Sequence, residues 1–502
     1  MTLGDVVAIV APAGGPEALV GLDPSTPVRS VVYDSRRAGA GAVFVALRGF
    51  KADGATFAAE AMARGACAVV ADSPRPDGVS GPWLQTSDAR LALARLSDAF
   101  FDHPSRRMQV VGVTGTNGKT TTAYLLAAVL DAAGLAAGVM GTVTYRVGRE
   151  ERDAARTTPE APDVQQLLAE MLERGCRSAV IEVSSHALAL RRVDGMRFAA
   201  AVFTNLTRDH LDFHEDMEAY FAAKRRLFEM LEADAPAVIN ADDPRAASLS
   251  AVCARTVTYG LSQPADVTCG AAAIGLGGLT LDVRTPKGAL PLRSRLVGRP
   301  NVYNILAATA AAVALDLPLD AIAEGISRLP GVPGRFELVS SPADPVTVVV
   351  DYAHTDDALR NLLETARPLT STRLITVFGC GGDRDRTKRP LMGMVSARLS
   401  DIVVITSDNP RSEDPARIIG EIRRGITPDG QAGRRAEVLS VVDRADAIER
   451  AIEMADRGDV VLIAGKGHEK YQHIGDRVLP FDDVAVARAA LARRQTKRSK
   501  AV

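Results

Sequence analysis

The sequence predicts an α/β protein built as three domains. Three observations carry this expectation. At 502 residues the chain is too long for a single hydrophobic core. Short apolar runs alternate repeatedly with helical patterns, which means βαβ units and mostly parallel sheets. The alternation also breaks twice, at Pro104-Ser105 and at the turn-rich Leu329-Pro330-Gly331-Val332-Pro333-Gly334-Arg335. Residues 1–105, 106–333 and 334–502 are therefore expected to form separate units.

In the first unit, residues 28–33, 42–47 and 66–71 read as strands, and 57–64 and 89–101 as helices. The second unit opens with an apolar strand, 108–113, then a glycine-rich turn and an Ala/Leu-rich helix starting near Thr120. Further strands are expected at 178–183, 199–204, 237–240 and 256–259, and the glycine-broken stretch 271–296 reads as a small antiparallel addition. In the third unit, 347–351, 373–378, 401–406 and 459–463 are strands with helices between them.

Composition excludes several classes. Sixty basic and 61 acidic residues leave a net charge of −1, so no global field favours nucleic acid. The basic tail, Arg493-Arg494-Gln495-Thr496-Lys497-Arg498-Ser499-Lys500, reads as a solvated terminus. Five scattered cysteines without a Cys-x-x-Cys pair argue against a disulfide framework or zinc knuckle and fit a reducing cytoplasm. No signal peptide is expected, and the longest apolar helix candidate, 305–315, is too short to span a bilayer.

The chemistry starts at Gly112-Val113-Thr114-Gly115-Thr116-Asn117-Gly118-Lys119-Thr120-Thr121-Thr122. Glycines let backbone N–H groups approach a phosphate, and the following helix N-terminus adds positive partial charge. Lys119 can reach the terminal phosphates and Thr120 can offer its hydroxyl to Mg²⁺. Glu182-Val183-Ser184-Ser185-His186 and Asn205-Leu206-Thr207-Arg208-Asp209-His210-Leu211-Asp212 each follow a strand, where ligands of open α/β sheets collect. Glu182 is expected to bind Mg²⁺, with His210 as a second metal contact and Asp209 supporting it. Lys224, in Ala222-Ala223-Lys224-Arg225-Arg226, reads from spacing alone as part of a solvated basic helix face. Gly379-Cys380-Gly381-Gly382 lacks the third glycine of a dinucleotide turn and reads as a βα loop lining a cleft. Asp408-Asn409-Pro410-Arg411 and Gly465-Lys466-Gly467-His468-Glu469 also follow strands. With Arg389 they would set two guanidiniums and a carboxylate around one pocket, which suits a zwitterion.

Taken together these residues resemble the ATP-dependent Mur ligases of bacterial peptidoglycan synthesis. The carriers are Gly115-Thr116-Asn117-Gly118-Lys119-Thr120-Thr121, the Glu182 and Asn205 motifs, Asn301-Val302-Tyr303-Asn304, Gly334-Arg335-Phe336-Glu337 and Asp351-Tyr352-Ala353-His354-Thr355. Within the family, Asp408-Asn409-Pro410-Arg411 looks like the signature of the MurE type, which adds meso-diaminopimelate to UDP-N-acetylmuramoyl-L-alanyl-D-glutamate.

The resemblance implies a central P-loop parallel-sheet ATPase flanked by an N-terminal α/β UDP-binding domain and a C-terminal Rossmann-like domain that binds the amino acid. It implies Tyr33, Ser35, Phe50, Lys51 and Ala52 at the UDP end of the substrate, and Thr157, Thr158, Ser184 and Arg192 along its sugar–peptide part. Gly115 to Thr121, Asn304, Arg335 and Asp351 would bind ATP, and Arg389, Asp408, Asn409, Pro410, Arg411, Gly465 and Glu469 diaminopimelate. Thr120, Glu182, His210 and Lys224 would hold Mg²⁺, Lys224 as a CO₂-derived carbamate, against the reading from spacing. Lys119, Lys224, Glu182 and His210 form the implied catalytic set. The expected partners are small molecules, with no nucleic acid or membrane insertion, and the expected state is a cytoplasmic monomer.

Three positions depart from the family pattern. Leu190 stands where relatives often carry glutamine, Arg156 where some carry asparagine, and Asp356 where proline is expected. Two other classes fit less well. A guanine-nucleotide switch would want an Asn-Lys-x-Asp motif, which the sequence lacks, and a nicotinamide oxidoreductase would rest only on Gly379 to Gly382. Folylpolyglutamate synthesis shares the ATPase core, but the diaminopimelate signature and the N-terminal domain oppose it.

Overall fold

The computed structural model describes residues 1–10, 23–49, 52–341, 343–426 and 436–499, and arranges them around three main sheets. The first has four parallel strands in chain order, Ser30–Val32, Ala42–Ala46, Ala66–Ala71 and Trp83–Gln85. Helices Leu3–Val10 and Ala89–Phe100 cover one face, where Val6, Leu93 and Leu96 pack on Val43, Val45 and Val70. The second helix starts where it does because the Asp88 carboxylate accepts from Leu91 N at 2.9 Å, satisfying an otherwise unpaired first-turn donor.

The central sheet has eleven strands. Its parallel part runs, in spatial order, Thr256–Gly260, Ala237–Asn240, Ala200–Phe203, Gln109–Thr114, Ser178–Glu182 and Ala137–Met140. Gln109–Thr114 has a later strand on each side, so it lies at a topological switch point, and the loops beyond its neighbours' carboxyl ends open onto one crevice. Both faces are covered. Val111 and Val113 meet Leu125, Leu126 and Val129 of helix Lys119–Ala132 and Ile305 of helix Arg299–Ala314, while Val110 meets Phe198 and Leu227 on the other side. Burial on two faces is why these strands read as continuous apolar runs.

The glycine-broken stretch forms three antiparallel strands, Val267–Gly275, Gly278–Thr285 and Gly288–Ser294. They extend the central sheet itself, because Val267 pairs in parallel with Tyr259. The opposite edge carries a hairpin, Thr144–Val147 with Glu150–Asp153, that the sequence did not announce.

The third sheet has six strands, ordered Glu337–Leu338, Thr347–Asp351, Val460–Ala464, Leu374–Phe378, Ile402–Ile405 and Glu437–Ser440, parallel except for the first. Asp351, Gly465, Gly379 and the loop from Asp408 thus all leave carboxyl ends on the same side. Helix Asp356–Ala366 begins at Thr355, whose hydroxyl accepts from Ala358 N at 3.2 Å. Asp356 takes the first helical position, which proline also favours, and its charge suits the helix N-terminus. A two-stranded hairpin, Tyr471–Ile474 with Arg477–Pro480, stands apart. Among the described residues no helix is long and apolar enough to cross a membrane.

Candidate active site

The phosphate loop bridges strand Gln109–Thr114 and helix Lys119–Ala132. Gly115 and Gly118 have φ of 145° and 86°, and a Cβ at either would overlap Thr204 Oγ1 or Asn304 Oδ1. Asn205 braces the loop. Its backbone oxygen accepts from Thr116 N at 2.8 Å, its side-chain oxygen from Asn117 N at 2.9 Å, and its amide donates to Asn117 O at 3.1 Å. Lys119 Nζ folds back onto Gly115 O and Thr116 O at 2.8 and 2.9 Å. Burial lowers its pKa, while Glu182 and Asp209 act in its favour.

Glu182 ends the neighbouring strand and is 1% exposed. It accepts from Thr120 Oγ1 at 3.0 Å, Thr142 N at 2.8 Å and Thr142 Oγ1 at 3.0 Å. A hard carboxylate next to a phosphate-loop hydroxyl fits Mg²⁺, which takes one or two protein oxygens and leaves its other positions to phosphates and water. Among the described residues no group of three His, Cys, Asp or Glu gathers as an all-protein metal site.

Lys224 is 1% exposed, so the solvated-face reading is corrected. It lies on the buried face of helix Met217–Glu229 with Tyr220 and Leu227, while Glu218, Ala222, Arg225 and Glu229 face outward. Its Nζ donates to Gly115 O at 2.8 Å and sits 4.4 Å from the Tyr220 ring centroid. Burial, and then the Lys119 charge, pushes its pKa well below 10.5. His210 takes a left-handed backbone, φ 54°, that turns its ring edge-on to His186 at 4.8 Å, and burial lowers its pKa. His210 Nε2 lies 3.5 Å from Asp209 Oδ2, and Asp209 also accepts from His210 N at 2.8 Å.

The third sheet closes this cleft. Arg335 Nη2 donates to Thr120 Oγ1 at 3.3 Å, and its guanidinium lies 4.6 Å from the Tyr352 ring centroid. Asp351 accepts from Phe336 N at 2.7 Å and Ala353 N at 2.8 Å, and burial raises its pKa. Asn304 Nδ2 donates to Asn301 Oδ1 at 2.9 Å beneath Gly118. The cleft of about 310 Å³ is lined by Gly118 to Thr121, Glu182, His210, Lys224, Asn304, Arg335 and Asp351 to Thr355, among others.

The residues assigned to the UDP substrate fall into two groups. Thr157, Thr158, Ser184 and Arg192 converge beside Glu182. Thr158 Oγ1 donates to Glu182 O at 2.7 Å and accepts from Ser184 N at 3.1 Å, Arg192 Nη1 donates to Thr158 O at 3.0 Å, and Thr157 and Thr142 hydroxyls are 3.1 Å apart. Tyr33 and Ser35 lie on the first sheet's edge. Tyr33 Oη donates to Asp163 Oδ2 at 2.8 Å and Ser35 Oγ to Glu60 Oε2 at 3.0 Å. Ala52 is exposed, and Phe50 and Lys51 lie outside the described residues.

Around the third sheet, Asp408 to Arg411, Gly465 and Glu469 come together. Asn409 Nδ2 donates to Glu469 Oε2 at 3.0 Å, and Arg411 Nη1 to Gly382 O at 2.7 Å. A Cβ on Gly465 would press on Asp408 Oδ2. Arg389 differs from the expected picture of two free guanidiniums. It is 0% exposed and held by Glu413 at 2.8 and 2.9 Å and by Glu421 at 2.7 Å, with Nη2 also donating to Gly381 O at 3.1 Å. Arg389 first, through its hydrogen bonds, holds Glu413 at about 2, and Arg386 followed by Arg389 does the same for Glu421. The Arg389 charge is therefore already paired with carboxylates, whereas the Arg411 guanidinium beside the pocket donates to the Gly382 carbonyl.

Sequence reasoning passed over two polar groups, half-buried Thr142 beside Glu182 and buried Lys466 in this pocket. Thr142 was hidden because its flanking strands were not recognised. Lys466 was quoted within its motif but given no task. It is fully buried, donating to Asn409 Oδ1 at 3.1 Å and Glu469 Oε2 at 3.0 Å.

Comparison with known proteins matches each of the three units to one family. Residues 27–101 match the Mur ligase family catalytic domain, 113–312 the Mur ligase middle domain, and 334–467 the Mur ligase glutamate ligase domain. The chain is 48% identical to a UDP-N-acetylmuramoyl-L-alanyl-D-glutamate–2,6-diaminopimelate ligase from Solibacter usitatus, over 98% of each chain. It is 47% identical to the protein of the same name from Geobacter metallireducens, over 99% of each. A solved structure of a ligase with that name superposes with a TM-score of 0.70 at 34% identity, covering 99% of both chains. With all three domains matched in order and near-complete coverage, the chain belongs to the Mur ligase family.

Proposed function

We propose that this chain is an ATP-dependent amide ligase that joins meso-diaminopimelate to UDP-N-acetylmuramoyl-L-alanyl-D-glutamate in peptidoglycan precursor synthesis. The observation that carries the reading is the convergence on one cleft of the phosphate loop, Glu182, Lys224 and the Asp351 to Thr355 segment, with the Asp408 to Arg411 loop on the same side of the third sheet. The names of relatives 47 and 48% identical over nearly the whole chain supply the substrates. Domain limits near 105 and 333 agree with the Pro104–Arg106 turn and with the absence of helix or strand between Arg328 and Glu337. We assign the enzyme to the cytoplasm, as a monomer acting on soluble substrates.

A carboxylate does not acylate an amine at neutral pH. In the reading offered here a carboxylate oxygen of the UDP substrate attacks the γ-phosphorus of ATP, and ADP leaves. The diaminopimelate amine then attacks the acyl carbon of the resulting acyl phosphate, loses a proton, and inorganic phosphate departs. Lys119, the loop N–H groups and Arg335 neutralise charge on the transferring group. Thr120, Glu182, His210 and Lys224 as its carbamate would hold Mg²⁺, which when bound offsets phosphate charge. Asn304 and Asp351, which line the same cleft, would contact the adenosine. Thr157, Thr158, Ser184 and Arg192 orient the peptide end, and Tyr33, Ser35, Phe50, Lys51 and Ala52 the UDP end. Contacts such as Arg335 to Thr120 join two domains at the reacting atoms, so closure would both align substrates and exclude water.

Phosphate release with the UDP-muramoyl dipeptide, comparing meso-diaminopimelate with L-lysine, tests the reading. The two amino acids present the same amine and differ by one carboxylate at the far end. Because Arg389 is already paired, the discrimination is expected to rest on Arg411. Leaving that cation unpaired in a partly exposed pocket costs about 2–3 kcal/mol, roughly a hundred-fold against lysine. Arg411→Ala should lose most of this preference through weaker diaminopimelate binding, with ATP and the UDP substrate still bound. Equal use of both amino acids by the wild-type enzyme would remove the basis for the assignment.

A further inference from the structure

The Asp408 to Arg411 loop adopts a conformation its sequence does not favour. Arg411 has φ 51°, a left-handed backbone that a long non-glycine side chain rarely takes. Such strain persists only where surrounding structure over-determines it. The surroundings here are the hairpin Tyr471–Ile474 with Arg477–Pro480, which reaches the loop at four points. Gln472 Nε2 donates to Asp408 O at 2.6 Å, and His473 N donates to Asn409 Oδ1 at 3.0 Å. Arg411 N donates to His473 O at 3.1 Å, and Gly475 N donates to Arg411 O at 2.8 Å. Ile474 and Arg411 pair as an isolated parallel bridge. The hairpin is a two-stranded ribbon with Tyr471, Ile474 and Val478 exposed, so it contributes little to a core and much to this loop.

Three of the four clamps use backbone or an already assigned side chain. The fourth is Gln472, buried at 7% exposure, whose side-chain amide donates to the Asp408 carbonyl. We propose that Gln472 is a positioning residue for amino-acid selection: through the hairpin it fixes the backbone of Asp408 to Arg411, and so the direction in which Asn409 and the Arg411 guanidinium face the diaminopimelate pocket. Gln472 itself touches no reacting atom. The inference rests on the reading of this loop as the diaminopimelate-binding element.

Two near-isosteric variants of the full-length enzyme test it. Gln472→Met removes the donor and leaves the buried Asp408 carbonyl unsatisfied, which should raise KM for meso-diaminopimelate about 10-fold. KM for ATP and for the UDP substrate, and kcat at saturating diaminopimelate, should stay within about two-fold. Gln472→Glu sets an acceptor against the same carbonyl and should raise that KM at least as far. In both, the preference for diaminopimelate over lysine should shrink, because the loop no longer holds Arg411 in place. A residue serving stability alone would lower the melting temperature and leave the KM ratio untouched. An unchanged KM for diaminopimelate in either folded variant would overturn the proposal. The wild-type assay separates this from failure of the functional reading: if the wild-type enzyme releases no phosphate in response to diaminopimelate, the substrate assignment falls, whereas a responsive wild type with indifferent Gln472 variants defeats only the role of Gln472.

Discussion

Lys119→Ala is expected to abolish turnover, with a loss of about 10³-fold or more in kcat, the scale on which phosphoryl-transfer enzymes depend on a cation at the transferring group. The Lys119 ammonium rests on the carbonyls of Gly115 and Thr116, already inside the phosphate loop and preorganised for an anion in front of it. Burial lowers its pKa and thus works against its charge, and the opposing fields of Glu182 and Asp209 help to keep the proton. Bound phosphate would do the same more strongly. The loss should appear in the chemical step. Diaminopimelate binding, which depends on the third sheet, should be retained and can be followed by calorimetry. Near-normal phosphate release in this variant would remove the phosphate-loop assignment.

Much of this site could be read from the chain because parallel strands announce themselves. Residues 66–71, 237–240 and 347–351 are strands in the structure at the positions the sequence suggested. Their middle residues are apolar without alternation because both faces of each sheet are covered. Once the parallel strands are placed, the residues at or just beyond their carboxyl ends follow, and Glu182, Asp351, Asp408 and Gly465 all emerge there. Elements without a core face were not legible. Strand Glu150–Asp153 is charged and largely exposed, and the Tyr471–Pro480 hairpin pairs through backbone with little apolar burial. Neither carries the periodic signal that burial imposes.

Charge pairing was the other blind spot. Arg389 and Arg411 look alike in sequence, yet of the two it is Arg389 that Glu413 and Glu421 hold, and that choice is made by how helix Pro415–Arg423 lies against helix Lys388–Leu399. Lys224 was misread from spacing because Lys224-Arg225-Arg226 looks like a cationic surface. A signal was present: Tyr220, Lys224 and Leu227 fall at the i, i+4, i+7 spacing of one helical face, and Tyr220 and Leu227 are apolar.

Lys224→Ala should be nearly as damaging as loss of Lys119, about 10³-fold in kcat. A lysine amine must be neutral to attack CO₂, and burial provides that condition by pushing the Lys224 pKa well below 10.5. The nitrogen forms a bond to carbon, one proton is released, and the product is an anionic carbamate. This reverses the local electrostatics. As an ammonium, Lys224 would be repelled by Lys119 in a site without solvent. As a carbamate it would be attracted by the same charge and would add a hard oxygen donor near Thr120 and Glu182, as Mg²⁺ requires. A short carboxylic acid added to Lys224→Ala should enter the vacated space and restore part of the activity, whereas an amine should not. Folding gives an independent readout on CO₂-free protein. Between the depressed folded value and about 10.5 the unfolded chain holds a proton at Lys224 that the folded chain has lost, so wild-type stability should rise with pH across that window. Lys224→Met should lose that slope and remain folded while inactive. An alanine variant that turns over normally, or one that acids fail to rescue while Lys224→Met keeps the wild-type pH slope, would leave Lys224 as a buried structural residue and no more.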